Sequence, residues 1–190
     1  QMNIVRAITG TTEEQFESLR KSAMDLGNST SFTASQVGEL QEAYARAGFS
    51  MGAILASSKP TLSVAKAMNA ELGFTAEALG SVARMYELNI EDQKEMSRVG
   101  DVLASTAAKT NTDLTTLFES FKNAGPMAKE LGLSVEETAT AIGLLGNVGI
   151  KSEKAGTALK IMFQRIATDS DKLKKIGVNV YDATGSLQDL

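Results

Sequence analysis

The sequence contains no cysteine, no histidine and no tryptophan, and these absences exclude whole classes of chemistry. Without cysteine the chain forms no disulfide, carries no thiolate nucleophile and cannot hold zinc or an iron–sulfur cluster through sulfur. Without histidine it lacks the base of a Ser-His-Asp triad, the HExxH metalloprotease helix and the usual proton shuttle. We therefore expect a protein that is not an enzyme and that needs no cofactor and no metal.

Aromatic residues make up only 5% of the chain, so its core has to be built mainly from aliphatic side chains. Bases and sugars would find few aromatic platforms on which to stack. The 19 Lys and Arg residues against 23 Asp and Glu give a net charge of −4, whereas nucleic-acid-binding domains are usually basic. The longest uncharged stretch, residues 138–150, is shorter than the roughly 20 residues of a membrane-spanning helix.

A chain of 190 residues can bury a substantial core within one domain. No Pro-, Ser- or Gly-rich linker interrupts it, so we expect a single helical domain over residues 1–190. Because the sequence starts at Gln1 and stops at Leu190 without a tail, we also expect it to be an excerpt of a longer chain.

Apolar residues recur at the three-and-four spacing of a helix face along almost the whole chain, which predicts an all-α fold. The stripes are Phe16, Leu19, Ala23 and Leu26; Val37, Leu40, Tyr44 and Ala47; Leu79, Val82 and Tyr86; Met96, Val99, Leu103 and Ala107; Leu114, Leu117, Phe118 and Phe121; Val135, Ala139, Ile142 and Leu145; and Ala155, Leu159, Met162, Phe163 and Ile166. The connections are short, so we expect a compact multi-helix array of antiparallel or orthogonal neighbours. Around residues 182–186 the pattern also fits a small C-terminal β-hairpin.

Glycine and proline mark the expected helix ends. In residues 47–50, 72–75 and 131–134, a glycine is followed by an apolar residue and then by Ser or Thr. Glycine takes the left-handed conformation that ends a helix, and the hydroxyl caps the next one. The predicted stops are Gly48, Gly73 and Gly132, with Gly149 and Gly177 as variants, and Pro60 and Pro126 are expected to break or start helices.

Two pairs have the spacing of a capping box, in which two residues satisfy free backbone N–H groups reciprocally: Ser134 with Glu137, and Thr33 with Gln36.

Carboxylates are the remaining candidates for catalysis, and they cluster where two helices are predicted to begin. Glu91, Asp92 and Glu95 open one helix, and Glu136 and Glu137 open another. They are compatible with a general acid/base pair or a cation site. Acidic side chains in the first turn of a helix also interact favourably with the helix dipole and cap free N–H groups. Side chains at consecutive helix positions point about 100° apart, so two neighbouring acids do not face the same point. We therefore favour a structural role for these residues.

The last forty residues carry a surplus of positive charge, from Lys172, Lys174 and Lys175 together with Lys151, Lys154, Lys160 and Arg165 upstream. Such a cluster could contact DNA or an acidic partner. A solvated helix face with lysine near its C-terminus has the same composition, and we favour that interpretation because no aromatic side chains stand between the charges.

Gly143, Gly146 and Gly149 are three residues apart within an apolar stretch. Such spacing is compatible with transient membrane insertion or with close packing of two helices. We favour a buried helix with a close neighbour, ended by Gly149.

The region from about residue 101 to 165 resembles the conserved core of tail tape measure proteins of long-tailed phages and prophages. The resemblance lies in the DVLA at Asp101–Ala104, the string AGPMAKELGLSVEETATAIGLLGNVGIKSEKAGTALKIMFQRI and the closing IGVNVYDATGSL. Its most specific part is AGTALK, residues 155–160. The family often has a Gly-Ser or Ser-Gln pair just before this segment, whereas residues 152–154 of this chain are Ser, Glu and Lys. A weaker likeness extends back to about Thr33.

The resemblance implies a structural protein of the virion tail, assembled in the bacterial cytoplasm, whose length sets the length of the tail. It implies contact with tail tube and tail assembly proteins and self-association of the full-length protein, without a specific nucleic acid and with membrane contact only at DNA ejection. Family-motif positions that would act through turns and packing are Gly132, Ser134, Gly149, Ala155, Gly156, Thr157 and Leu159.

Two alternatives remain open: a helical module that binds the host envelope, a membrane or a tail assembly chaperone, and a tail-associated cell-wall hydrolase. A ruler should be a long uninterrupted helix, whereas glycine stops break this sequence. We therefore expect a compact module rather than the ruler itself.

Overall fold

A computed structural model of the chain describes residues 12–175 and Val180, apart from the side chains of residues 171–173. Within this range the chain is helical, as predicted from its periodicity. The helices are α1 (Glu13–Ser29), α2 (Ala34–Arg46), α3 (Met51–Met68), α4 (Leu72–Met85), α5 (Gln93–Lys109), α6 (Leu114–Glu130), α7 (Val135–Asn147), α8 (Ser152–Thr168) and α9 (Ser170–Lys175). The expected β-hairpin and the stop at Gly177 lie outside the described residues.

The chain divides into two compact units, Gln1–Ala104 and Ser105–Leu190, with the boundary inside α5. In the first unit α2 packs against α1, α3 and α4, and its core includes Leu19, Leu40, Tyr44 and Ile54. In the second unit α6 packs most extensively against α8, and α7 packs against both. The single domain over residues 1–190 stays a prediction.

Helix α3 has no apolar stripe because it is buried nearly all round. Besides Ile54, Leu62 and Val64, its buried positions hold alanines, serines, Thr61 and one proline. A helix that is buried on most sides has no broad polar face opposite its apolar face, so the helical periodicity of its apolar residues is weak. The sequence of α3 therefore shows no stripe from which the helix could be predicted.

Pro60 lies inside α3, so the expected break is wrong. Proline removes one backbone N–H from a helix, but burial of Pro60 and its neighbours favours a continuous element. In the adjoining turns two buried hydroxyls find partners on the helix backbone: Ser58 Oγ donates to the Ile54 carbonyl at 2.6 Å, and Thr61 Oγ1 donates to the Ser57 carbonyl at 2.8 Å.

Pro126 is likewise inside a helix, α6, where a break or start was expected. Part of the clash between a proline ring and a helical residue before it comes from that residue's Cβ. Here the preceding residue is Gly125, which has no Cβ, so the helix tolerates the ring.

Gly73 is not a helix stop but lies in the first turn of α4. Asn69, with φ of 48°, ends α3 instead. The Glu71 carboxylate then caps α4 by accepting hydrogen bonds from the N–H of Gly73 at 2.7 Å and of Phe74 at 2.6 Å. The predicted stop at Gly73 is thus four residues too late, because Asn, which tolerates the left-handed conformation, takes the place of glycine at this helix end.

Candidate functional site

Five helix ends within the described residues share one backbone geometry, the Schellman motif. A residue in the left-handed region is followed by a residue whose N–H donates to the carbonyl five positions earlier, at 2.9 or 3.0 Å. The left-handed residues are Gly48, Asn69, Glu87, Gly132 and Gly149, with φ of 76°, 48°, 54°, 84° and 85°. The sequence pattern finds the three glycines, but Asn69 gives a weak signal and Glu87 none.

The turn between α6 and α7 combines this geometry with the predicted capping box. The Ser134 hydroxyl accepts from the Glu137 N–H at 3.2 Å, and the Glu137 carboxylate accepts from the Ser134 N–H at 2.7 Å. The Ser134 hydroxyl also donates to that carboxylate. These hydrogen bonds, first that of the hydroxyl and then that of the backbone N–H, hold the pKa of Glu137 below its usual value.

The turn between α7 and α8 is built differently. Gly149 ends α7, but Lys151 at the start of α8 makes no side-chain cap. Ser152 has φ of 55°, a conformation that costs a non-glycine residue energy. Its carbonyl oxygen lies 2.9 Å from the buried hydroxyl of Ser120 on α6, a contact that helps to hold this backbone in place.

The AGT segment of α8 places one face against α6. Ala155 and Leu159 are buried there, and Gly156 lies so close to α6 that a Cβ would be 2.6 Å from the Ser120 carbonyl oxygen and 2.7 Å from Asn123 Cβ. Thr157 is exposed on another face of the helix. Three of these four motif positions therefore meet at one helix contact.

The glycines of α7 also lie at close contacts. A Cβ on Gly143 would be 2.7 Å from Thr110 Cγ2, and one on Gly146 would collide with Thr112 Cγ2. Asn147 Oδ1 accepts from the backbone N–H of Asn111 at 2.8 Å next to this contact. The packing interpretation of these glycines is thus the one that the geometry supports.

The candidate carboxylates do not converge on one point. Glu91 accepts a hydrogen bond from the Ser50 hydroxyl, and Asp92 Oδ1 accepts from the Lys94 N–H at 2.8 Å. Glu95 pairs with Arg98 at 3.0 Å. Among the residues that the structure describes, no cluster of three or more acidic side chains has the arrangement of a metal site.

Asp113, which the sequence analysis did not single out, caps α6. The backbone N–H of Thr116 donates to it at 2.7 Å and, together with the Thr116 hydroxyl and the charge of Lys151, lowers the pKa of this carboxyl. An Asp directly before an apolar helical run is a recognisable cap signal.

A cleft of about 420 Å³ lies in the first unit, with Tyr44 and Phe49 in its wall. One of its two arginines, Arg84, lies 4.1 Å above the Phe49 ring and donates to the Ala47 carbonyl at 2.9 Å. Burial raises the pKa of Tyr44 to about 12, and its hydroxyl lies 2.6 Å from Thr61 Oγ1. Arg84 thus joins α4 to the end of α2, and Tyr44 joins α2 to α3.

No described helix has both the length and the apolar content that crossing a membrane requires.

Residues 20–190 match the model of a family described as phage-related minor tail protein. The chain is 35% identical to the tape measure protein of Pneumococcus phage Dp-1, in an alignment covering 98% of this chain and 16% of that protein. It is 30% identical to the probable tape measure protein of Escherichia phage P2, covering 96% of this chain and 23% of the relative. No solved structure is significantly similar.

These matches confirm the resemblance drawn from the sequence, although the chain spans less than a quarter of either relative. Because the family model covers nine-tenths of its residues, the chain belongs to the family of phage-related minor tail proteins.

Proposed function

We propose that this chain is a folded helical module of a tail tape measure protein that acts in tail assembly and in setting tail length. The observation that carries the proposal is the alignment of nearly the whole chain with two tape measure proteins, at 35% and 30% identity. The module has a structural role, and the turn and packing positions Gly132, Ser134, Gly149, Ala155, Gly156 and Leu159 act by maintaining its helix contacts. Thr157, the remaining motif position, is exposed.

The short helices support a compact module rather than a ruler. The longest described helix has 18 residues and therefore spans about 27 Å, whereas one continuous helix over residues 12–175 would span about 246 Å. Each left-handed turn ends a helix, so length along the tail would come from other parts of the parent protein.

The partners that we propose are tail tube and tail assembly proteins and further copies of the full-length protein. The location is the virion tail, after assembly in the bacterial cytoplasm, with no specific nucleic acid and with membrane contact confined to DNA ejection.

The proposal includes no catalytic step, because the candidate carboxylates whose contacts are described have separate structural partners. Asp92 and Glu137 accept from backbone N–H groups. Glu95 pairs with Arg98, and Glu91 accepts a hydrogen bond from the Ser50 hydroxyl.

A cell-wall hydrolase would clear peptidoglycan in a gel assay and would lose that activity when Glu91, Glu95, Glu136 and Glu137 are changed to Gln together. We expect no clearing by the unchanged chain. Clearing that the substitutions abolish would refute the structural role.

Complementation of a phage with a nonsense mutation in the parent gene tests the proposed role. The mutant should form no tails of normal length, and a plasmid copy of the full gene should restore them. A copy lacking the codons for residues 12–175 should fail to restore them. Normal tails from that deleted copy would show that the module has no part in tail assembly.

A further inference from the structure

Helix α8 begins less securely than the helices before it. Its first backbone hydrogen bond, from the Ala155 N–H to the Lys151 carbonyl, is 3.4 Å long, whereas the corresponding bonds of α1 to α7 measure between 2.9 and 3.1 Å. Lys151 makes no side-chain cap. Ser152 has φ of 55°, in the left-handed region that is unfavourable for a residue with a side chain. The start of α8 is thus weakly bonded and strained.

The hydroxyl that contacts this strained residue has a second acceptor. Ser120 Oγ lies 2.9 Å from the Ser152 carbonyl oxygen and 2.8 Å from the Thr116 carbonyl oxygen of its own helix. A hydroxyl has one proton to donate. If α8 moves away, the buried Ser120 hydroxyl still has Thr116 as its acceptor, so the separation leaves no buried donor without a partner.

The turn between α7 and α8 can open without disturbing α7. Residues 148–150 are exposed, and the side chain of Val148 is 72% exposed, so opening uncovers little additional apolar surface. The chain before them is held in place, because Asn147 Oδ1 accepts from the Asn111 N–H at 2.8 Å. An opening motion would therefore be confined to residues 148–152.

The surface of α6 that receives α8 is specific for that helix. Ala155, Leu159 and Phe163 of α8 are buried, and α8 packs most extensively against α6. Gly156 lies so close that a Cβ would be 2.6 Å from the Ser120 carbonyl oxygen. A helix with a larger residue at this position would not fit equally well. A second copy of the chain supplies an identical α8 and hence the same contacts.

We propose that residues 148–152 are the hinge of a domain swap, in which α8 of one chain packs against α6 of a second copy. Short hinge turns under strain favour such an exchange, because opening relieves the strain while the contacts of the exchanged element are kept. The inference names a surface for the self-association proposed above. It follows from the geometry of the turn and not from the role in tail length, so the two proposals can fail separately.

Sedimentation equilibrium of the 190-residue chain tests whether the dimer forms. Monomer and dimer should be in equilibrium at chain concentrations up to about 1 mM. Because α8 has to leave its own α6 before it can exchange, a sample refolded at high concentration should contain more dimer than one refolded dilute and then concentrated. A chain that stays monomeric in both samples would overturn the proposal.

Two substitutions in the hinge should change dimerisation in opposite directions. Ser152→Gly relieves the closed turn, because glycine adopts positive φ readily, and should weaken dimerisation at least about tenfold. Gly149→Ala strains the closed turn at φ of 85° and should strengthen dimerisation at least about tenfold. Gly48→Ala is the matched control, since Gly48 also has positive φ and open space around it but lies in the first unit. It should leave the dimerisation constant unchanged.

Cross-linking between chains identifies the exchanged helix. The sequence has no cysteine, so Lys122→Cys in one chain and Thr157→Cys in another each introduce a single reactive thiol. Both positions are exposed, and they adjoin Asn123 and Gly156, which lie against each other. When the two chains are refolded together, a short bismaleimide should join them to a greater extent than it joins either chain to itself.

Three results would contradict the swap, once circular dichroism has verified that each variant is helical. The same dimerisation constant for Ser152→Gly, Gly149→Ala and the unchanged chain would assign the dimer to another surface. An equal change caused by Gly48→Ala would show that general loss of stability, and not the hinge, controls association. Cross-linking that is no stronger in the mixture than in the separate chains would show that α8 stays on its own α6.

Discussion

At the scale of single residues, glycine serves this fold for two separate reasons. Gly132 has open space where a Cβ would lie, but its φ is +84°. Gly156 is an ordinary helical residue whose missing Cβ lets α8 approach the backbone of α6. Substitution at the first position tests backbone strain, and substitution at the second tests packing.

Gly132→Ala should lower the free energy of unfolding by about 1 kcal/mol, since a side chain is disfavoured in the left-handed conformation. Urea unfolding monitored by circular dichroism measures the change. Gly132→Asn is the control and should lose less, because Asn tolerates this conformation. Equal stability of the alanine variant and the unchanged chain would argue against the assigned turn.

Gly156→Val should lower the free energy of unfolding by about 1–3 kcal/mol through overpacking, because the obstacle is the backbone carbonyl of Ser120 rather than a flexible side chain. Thermal unfolding measures the loss. Ala158→Val adds the same branched side chain at an exposed position of the same helix and should cost less than 1 kcal/mol. An unchanged melting temperature for Gly156→Val would contradict the packing of α8 on α6.

At the scale of elements, the caps make stability depend on pH. Hydrogen bonds lower the pKa of Glu137 in the folded state below the ordinary value of 4.5. Its contribution is therefore fully present above that value and is lost as the pH falls through the lower folded pKa. Glu137→Gln keeps an acceptor at this position but does not titrate.

The Glu137→Gln variant should accordingly lose less stability than the unchanged chain between pH 5 and pH 3, as measured by urea unfolding across that range. Asp113 titrates in both proteins, so the free energy of unfolding still depends on pH in the variant. Glu17→Gln, which removes an exposed carboxylate outside any cap, is the matched control. If the free energy of unfolding changes equally with pH in the unchanged chain and in Glu137→Gln, the capping box contributes nothing to the dependence of stability on pH.

Helix stripes and caps were predictable where their signals are local. The stripe of α6 and the box of Ser134 and Glu137 follow from side-chain type and spacing alone. The course of α3 through Pro60 was not predictable in this way, because burial by neighbouring helices outweighs the missing N–H. Glu87 takes a left-handed conformation although its residue type gives no sign of it.

In the candidate site, too, local signals were readable from the sequence and contacts between distant residues were not. A packing role for Gly156 was expected from the AGTALK segment, whereas the atoms that lie close to it, on Ser120 and Asn123, are more than thirty residues away in sequence. Exposure of Leu144 and Val148 was also hidden, because both lie in the uncharged stretch 138–150, and apolar residues in such a stretch are ordinarily assigned to a core.

At the scale of the whole molecule, the two compact units raise the question of cooperativity. If residues 1–190 form one domain as we propose, scanning calorimetry should give a single transition whose calorimetric and van't Hoff enthalpies agree. Two resolved transitions, or a van't Hoff enthalpy well below the calorimetric one, would contradict a single domain.

The central claim is that this chain is a compact module of a tape measure protein, and tail length in electron micrographs tests it most directly. An in-frame deletion in a continuous helical stretch elsewhere in the parent protein should shorten tails by about 1.5 Å per residue. Deleting residues 114–168, from α6 through α8, should instead prevent normal tails from forming. Regular tails shortened by about 80 Å in that second deletion would show that this segment is itself part of the ruler.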